Sequence, residues 1–156
     1  MSAVREETDR KIDELLGAFP RRGSALLPAL YLIQEEKGFI SPESMEYVAG
    51  KLDLSPVFVA GVVSFYTMFY TRPVGRHHIQ ICRTLACALR GCRSVLAHLE
   101  ERLGVRPGET TADGKFSLEA VECLGACDKA PMIQINGEEY ELLDPKKMDE
   151  VLARLE

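Results

Sequence analysis

Apolar residues recur along the first half of the chain at the spacing of a helix. Ile12, Leu15, Leu16 and Phe19 stand at i, i+3, i+4 and i+7, as do Met45, Val48, Ala49 and Leu52, so each segment predicts a helix with one apolar stripe turned to a shared core. Between them, Ser24 is expected to open a helix through Leu26, Leu27, Leu30 and Ile33 that Gly38 ends, with Pro28 tolerated only because it lies near the first turn. Ser41-Pro42 and Ser55-Pro56 each place a capping hydroxyl before a proline whose missing N–H costs nothing at the first helical position. The pattern over residues 1–75 predicts a small helical bundle.

From His77 the period shortens to two. Residues 78–82, HIQIC, alternate as a strand with Ile79 and Ile81 on one face, and residues 116–121, FSLEAV, alternate likewise. Between them Cys92, Val95, Leu96, Leu99 and Leu103 form a helical stripe that Gly104 ends. Residues 132–135 and 138–143 flank Asn136-Gly137, the dipeptide that best suits a two-residue type I′ hairpin. A last helix starts at Asp144-Pro145 and offers Met148, Val151, Leu152 and Leu155 to the core. Strand, helix, strand, hairpin, helix suits an α/β or α+β layer with helices on a small mixed sheet, and α/β is the class expected. It occupies residues 76–156, and Arg72-Pro73-Val74-Gly75 is the expected joint.

Length and composition narrow the field. A chain of 156 residues holds one domain, or one small domain with a helical appendage. With 46% apolar residues and a net charge of −5, it has the balance of a folded protein and lacks the broad basic surface of a nucleic-acid binder. The longest nearly apolar run, Val57 to Phe65, is far short of the roughly 20 residues of a membrane span. Residues 1–10, MSAVREETDR, lack the basic-then-apolar pattern of an export leader, so the expected compartment is the cytoplasm.

The five cysteines, at 82, 87, 92, 123 and 127, are an odd number for a disulfide framework, and in a reducing compartment point to metal or redox chemistry. Cys82 ends one predicted strand and Cys87 follows in the connecting loop; Cys123 follows the other strand and Cys127 lies in the loop before the hairpin. If the two strands are parallel neighbours, as a right-handed crossover would make them, both loops emerge on one sheet edge and four thiolates converge. Four thiolates suit structural zinc. They also suit a [2Fe–2S] core, whose two irons take two cysteines each and accommodate the broader C-x4-C and C-x3-C gaps. In the loop LGAC, Gly125 and Ala126 place almost no side chain beside Cys127, leaving backbone N–H groups free to approach sulfur. Cys92, on the helical stripe, reads as a buried thiol acting as a small hydrophobe. His77 and His78 raise a Rieske-like arrangement, but no histidine lies near Cys123, and the plainer expectation is a solvent-facing strand start.

Charge distribution adds what the net charge conceals. Leu54 to Leu99 contains no Asp or Glu, yet holds Arg72, Arg76, Arg83, Arg90 and Arg93. One such cation about 8 Å from a cluster, at an effective dielectric near 20, would favour the reduced form by roughly 2 kcal/mol, on the order of 90 mV for one electron. No G-x-G-x-x-G and no Walker A motif marks a nucleotide site. A lone one-electron centre cannot accept a hydride, so some partner must hold the flavin or other two-electron site. The C-x-x-C of a thiol–disulfide oxidoreductase is missing.

The runs SFYTMFYTRPVG (64–75), ICRTLAC (81–87) with LRG (89–91), and VECLGACDKAP (121–131) closely resemble the thioredoxin-like [2Fe–2S] ferredoxin subunits of NADH:quinone oxidoreductase, respiratory complex I. That family extends to small subunits of NAD(P)-reducing hydrogenases and NAD-dependent formate dehydrogenases, and the sequence does not separate these. The resemblance implies a helical bundle followed by a thioredoxin-like [2Fe–2S] ferredoxin domain. It implies one cluster on Cys82, Cys87, Cys123 and Cys127, with Cys92 outside the ligand set. It also implies electron exchange with the FMN of an NADH-binding flavoprotein subunit, further iron–sulfur subunits as partners, and a place peripheral to the membrane through the complex, without insertion. The aromatic run Phe65, Tyr66, Phe69 and Tyr70 is expected either to pack as core against the second part of the chain or to dock the flavoprotein. A zinc-stabilised scaffold is the alternative of a different class.

Overall fold

A computed structural model of the chain describes residues 4–155. The chain divides into two compact units, Met1–Pro73 and Val74–Glu156.

The first unit is helical: α1 (Glu6–Ala18), a 3₁₀ turn (Arg22–Ala25), α2 (Leu26–Lys37), α3 (Pro42–Leu52) and α4 (Pro56–Phe65). Ser41 caps α3 as expected, its hydroxyl accepting the Ser44 N–H at 3.2 Å. Gly38, at φ 79°, ends α2 in the left-handed conformation that glycine adopts without penalty. Two starts differ from expectation. Ser24 does not open α2: the 3₁₀ turn runs straight into the helix, and the Leu26 N–H already bonds to Gly23 O. Ser55 holds the capping position of α4 but its hydroxyl makes no capping bond, leaving Pro56 as the local start signal. At α1 the Arg5 N–H is taken by the Glu36 carboxylate of α2, at 3.1 and 3.2 Å.

Ile12, Leu30, Ile33, Ile40, Val48, Leu52, Val59 and Val63 fill this unit's core. Phe69 joins them, its ring 5.2 Å from that of Tyr31, so part of the aromatic run is core of the helical unit itself. Gln34 holds that segment with two bonds, Nε2 donating to Met68 O at 2.8 Å and Oε1 accepting from the Tyr70 N–H at 2.7 Å. Phe65, by contrast, is 76% exposed.

The second unit carries β1 (His77–Cys82), α5 (Leu85–Leu89), α6 (Cys92–Leu103), β2 (Phe116–Val121), a 3₁₀ turn (Cys127–Lys129), β3 (Ile133–Ile135), β4 (Glu138–Tyr140) and α7 (Pro145–Leu155). The sheet order is β2-β1-β3-β4. β1 and β2 are parallel with Cys82 opposite Val121, while β3 runs antiparallel to β1 and to β4. Ile79, Ile81, Leu118 and Ile133 from the sheet pack with Val95 and Leu99 of α6 and Met148 and Leu152 of α7. Asp149 of α7 receives His98 Nε2 at 2.9 Å and Arg102 Nε at 3.0 Å, which fastens α7 to α6.

Asn136 and Gly137 take φ 51° and 90°, as a type I′ turn requires. The Asn136 side chain also accepts the His78 N–H at 2.9 Å and donates to Arg76 O at 2.8 Å, pinning the hairpin to the start of β1. The second hairpin strand is shorter than its 138–143 pattern suggests. At Leu142, φ 51°, the chain turns away, and the N–H groups of Leu142 and Leu143 bond Lys129 O and Pro131 O at 2.9 and 3.1 Å. The histidines are not a solvent-facing strand start. His77 lies half-buried against the Phe116 ring, and His78 is buried with Nε2 2.9 Å from Glu119 Oε2.

Candidate metal centre

Because β1 and β2 are parallel and in register at Cys82 and Val121, both strands end at one edge. The ladder continues one step further, the Arg83 N–H donating to Val121 O at 3.1 Å. Beyond it the Arg83 guanidinium meets Glu122 Oε1, with Nη2 at 2.5 Å and Nε at 3.0 Å. Arg83 follows Cys82 and Glu122 precedes Cys123, so this exposed ion pair ties together the two segments that carry the thiols.

The structure brings Cys82, Cys87, Cys123 and Cys127 to this edge as two pairs. Cys87 is not in a loop: Leu85–Leu89 forms the short helix α5, which turns Cys87 inward. Cys82 and Cys87 are both 2% exposed, whereas Cys123 and Cys127 are open to solvent, the latter at the head of the 3₁₀ turn. Burial pushes the Cys82 thiol up, but the Thr84 hydroxyl, the N–H groups of Leu124 and Thr84, and the Cys87 thiol all bond its sulfur and bring it below the ordinary range. The Thr84 hydroxyl lies 3.3 Å from Cys82 Sγ and accordingly makes no capping bond to α5. Cys87 is pushed up to about 11 by burial, which outweighs the Met132 N–H bonded to its sulfur, and by donating to Cys82. Cys127 is raised mainly by donating to Cys123, with smaller contributions from burial and from Cys82.

The pattern is that of sulfur atoms close enough to share protons, which separate thiolates would occupy only beside a compensating positive charge. Among the described residues no group of three or more His, Cys, Asp or Glu is arranged to hold one metal ion. Paired thiols are the donor set that a two-iron core requires, each iron taking two cysteines. The N–H groups of Leu124 and Met132, which favour the thiolates of Cys82 and Cys87, would supply outer hydrogen bonds to such a core. The residues therefore fit a [2Fe–2S] cluster. Gly125, at φ 93°, lets the 123–127 loop turn back towards Cys82, a conformation that side chains beyond hydrogen rarely adopt.

Cys92 is the first residue of α6, buried among the apolar residues of that unit, and burial chiefly raises its thiol. The histidine-ligand arrangement fails on distance. His78 precedes Cys82 by four residues of an extended strand, about 13 Å at ~3.3 Å per residue, and His77 lies further still. Among the participants, Thr84 had a sequence signal, a hydroxyl two residues after a cysteine. The Leu124 N–H lies in the LGAC loop, whose small residues signalled backbone donors near sulfur, whereas the Met132 N–H had no signal, because a backbone group leaves no mark in residue identity.

A parallel strand–helix–strand unit with an antiparallel hairpin and flanking helices, carrying thiols at its strand ends, defines a thioredoxin-like domain with cysteines gathered at one sheet edge. The family model of the thioredoxin-like [2Fe–2S] ferredoxins matches residues 12–156, and the chain belongs to that family, which implies a [2Fe–2S] cluster. Among curated relatives, it is 42% identical to an NADH-quinone oxidoreductase subunit of Rhizobium meliloti (strain 1021), covering 96% of this chain and 86% of that one. It is 41% identical to NADH-quinone oxidoreductase subunit 2 of Thermus thermophilus, over 92% of this chain and 81% of the other. The corresponding NADH-quinone oxidoreductase subunit of Aquifex aeolicus is 40% identical over 96% and 93%. Among solved structures, the air-oxidised NAD+-reducing [NiFe]-hydrogenase superposes with a TM-score of 0.73 at 25% identity, covering 83% of this chain but 22% of the hydrogenase chain. No helix among the described residues is long and apolar enough to cross a membrane.

Proposed function

We propose that this chain is a one-electron carrier subunit of an NADH:quinone oxidoreductase, with a single [2Fe–2S] cluster on Cys82, Cys87, Cys123 and Cys127 exchanging electrons with the FMN of an NADH-binding flavoprotein subunit. The observation that carries the reading is the meeting of two thiol pairs at the shared end of β1 and β2, in a chain about 40% identical, over nearly its whole length, to NADH-quinone oxidoreductase subunits. When bound, the cluster supplies a one-electron redox couple. The chain's own contribution is to hold the sulfur donors in place, to direct N–H groups at them, and to shield the Cys82–Cys87 end from water. On this reading residues 1–75 are the helical domain and 76–156 the cluster domain, and further iron–sulfur subunits and the membrane are met through the complex. The hydrogenase likeness supports a second reading, the equivalent subunit of an NAD+-reducing hydrogenase; identifying the subunits that co-purify separates the two.

Anaerobic purification tests the site. Two irons and two acid-labile sulfides per chain, with an EPR signal appearing on one-electron reduction, are the expected result. One zinc and no visible absorption would instead establish the zinc scaffold.

The Arg83–Glu122 pair refines the expected electrostatics. Arg83 is not a lone cation: its charge is largely offset by a carboxylate that is itself next to Cys123. Arg83→Gln leaves that carboxylate uncompensated, so the midpoint potential is expected to fall, and Glu122→Gln is expected to raise it. Both groups are exposed, so solvent screening limits each shift to about tens of millivolts. A redox titration that moves in neither variant would separate this pair from the cluster.

A further inference from the structure

Thr84 occupies the N-cap position of α5, with φ −78° and ψ 176°. A threonine there ordinarily turns its hydroxyl oxygen to the second or third N–H of the helix, which would be that of Ala86 or Cys87. The Thr84 hydroxyl makes no such bond. It lies instead 3.3 Å from Cys82 Sγ, while the Thr84 carbonyl still accepts the Ala88 N–H at 2.8 Å and starts the helix. The residue keeps the backbone half of a cap and gives the side-chain half to sulfur, a departure from local preference of the kind that functional sites show.

What the hydroxyl does there follows from protonation. Between a thiol and a hydroxyl either atom can donate. A sulfur that ligates a metal is a thiolate with no proton to give, so beside a ligating Cys82 the Thr84 hydroxyl is the donor. The Thr84 and Leu124 N–H groups bond the same sulfur, whereas Cys87 receives the Met132 N–H. Of these donors only the Thr84 hydroxyl belongs to a side chain, so it is the one that residue identity sets. Burial makes it count. Cys82 is 2% exposed, so water cannot take the place of a missing donor there as it can at the exposed Cys123 and Cys127.

We infer that Thr84 is a positioning residue that sets the midpoint potential of the metal centre, its hydroxyl donating to Cys82 Sγ and favouring the state with one more electron. The inference rests on the [2Fe–2S] reading above and assigns part of the tuning to one side chain. An added electron places more negative charge on the ligating sulfurs, and a donor already pointed at sulfur stabilises that charge without rearrangement. Loss of the hydroxyl therefore lowers the potential. This effect differs from that of the Arg83–Glu122 pair in its response to salt. Charges on that exposed pair are screened, whereas a hydrogen bond to a buried sulfur is not.

The test is a redox titration of the full-length protein carrying its cluster, followed by visible absorption and EPR at low and high salt. Thr84→Val removes the hydroxyl at nearly constant shape. At the wild-type midpoint its ratio of reduced to oxidised centre is expected to fall about threefold to tenfold, tenfold being about 59 mV for one electron. Thr84→Ser, which keeps the hydroxyl, is expected to stay within about twofold of wild type. Thr84→Ala, which removes the same hydroxyl without valine's second methyl, is titrated alongside and is expected to shift in the same direction as Thr84→Val. The shifts are expected to be equal at both salt concentrations. Wild-type potentials in Thr84→Val and Thr84→Ala would overturn the assignment while leaving the ligand set standing, as would a serine variant shifted as far as the valine one, or a shift that salt removes. Loss of the cluster from both the valine and alanine variants would make the hydroxyl a requirement for retention and overturn the tuning role. A wild-type chain that holds no two-iron centre would overturn the reading beneath it as well.

Discussion

Cys123→Ser is expected to abolish the visible and EPR signature of the cluster, or to shift both strongly, while Cys92→Ala keeps them. The contrast is informative because burial works against it. Cys123 is exposed, so replacing its sulfur with oxygen disturbs no packing, and the cluster-free protein should unfold at an unchanged temperature. Any spectral loss then reports the ligand and not the fold. Cys92 is 3% exposed among apolar neighbours, so Cys92→Ala is the variant that costs stability, about 1 kcal/mol, by leaving a small void. Cys87→Ser is a poorer probe, since it puts a hydroxyl where burial and the Met132 N–H accommodate sulfur. Iron and sulfide content, absorption and EPR of the two variants are the measurements. An unchanged Cys123→Ser spectrum would remove that residue from the ligand set.

The cysteine pairs are legible because strand periodicity carries positional information. Alternation puts Cys82 and Val121 at strand ends, and the crossover rule makes those strands parallel neighbours, as the register of β1 with β2 shows. Periodicity likewise assigns Cys92 to the core of α6. Local signals fail where tertiary bonding competes with them. Ser24 has the identity of a cap, but a 3₁₀ turn has already satisfied the first N–H of α2. The β4 pattern runs to residue 143, but bonds from residues 142 and 143 to the 129–131 segment draw the chain off. Cys87 reads as a loop residue because five residues are too few for a helical period to register. His78 reads as solvent-facing, yet its partner Glu119 lies on a neighbouring strand that local sequence does not reveal. Arg83 is visible as a cation near the site, while Glu122 becomes its partner only through the register of two strands. The family resemblance carries what physics alone leaves open, the choice between zinc and a two-iron cluster.

The same single methyl group, added at two glycines, is expected to act with opposite signs. At Gly75 the added Cβ would lie 2.7 Å from the Phe116 carbonyl carbon and 2.8 Å from the Ser117 nitrogen, both backbone atoms of β2. Rotating a side chain cannot relieve that contact, so the segment entering β1 must move away from β2. The move strains the buried bond from the Gly75 N–H to Ser117 Oγ, 2.6 Å in the native chain, and the neighbouring bonds from Arg76 and His77 to Gly114 O and Lys115 O. Overpacking and a strained buried hydrogen bond together set the cost of Gly75→Ala at about 2–4 kcal/mol. At Gly61, inside α4, an added Cβ meets nothing within 4 Å, and alanine favours the helix over glycine by about 0.5–1 kcal/mol, so Gly61→Ala is expected to stabilise. Thermal unfolding of both variants checks the signs. Because Gly75 adjoins the start of β1 and β2 while Cys82 and Val121 end them, Gly75→Ala should retain the native EPR spectrum at low temperature and lose the cluster at a lower temperature than wild type. Equal melting of Gly75→Ala and wild type would mean that the close approach of residue 75 to β2 is not a constraint on this fold.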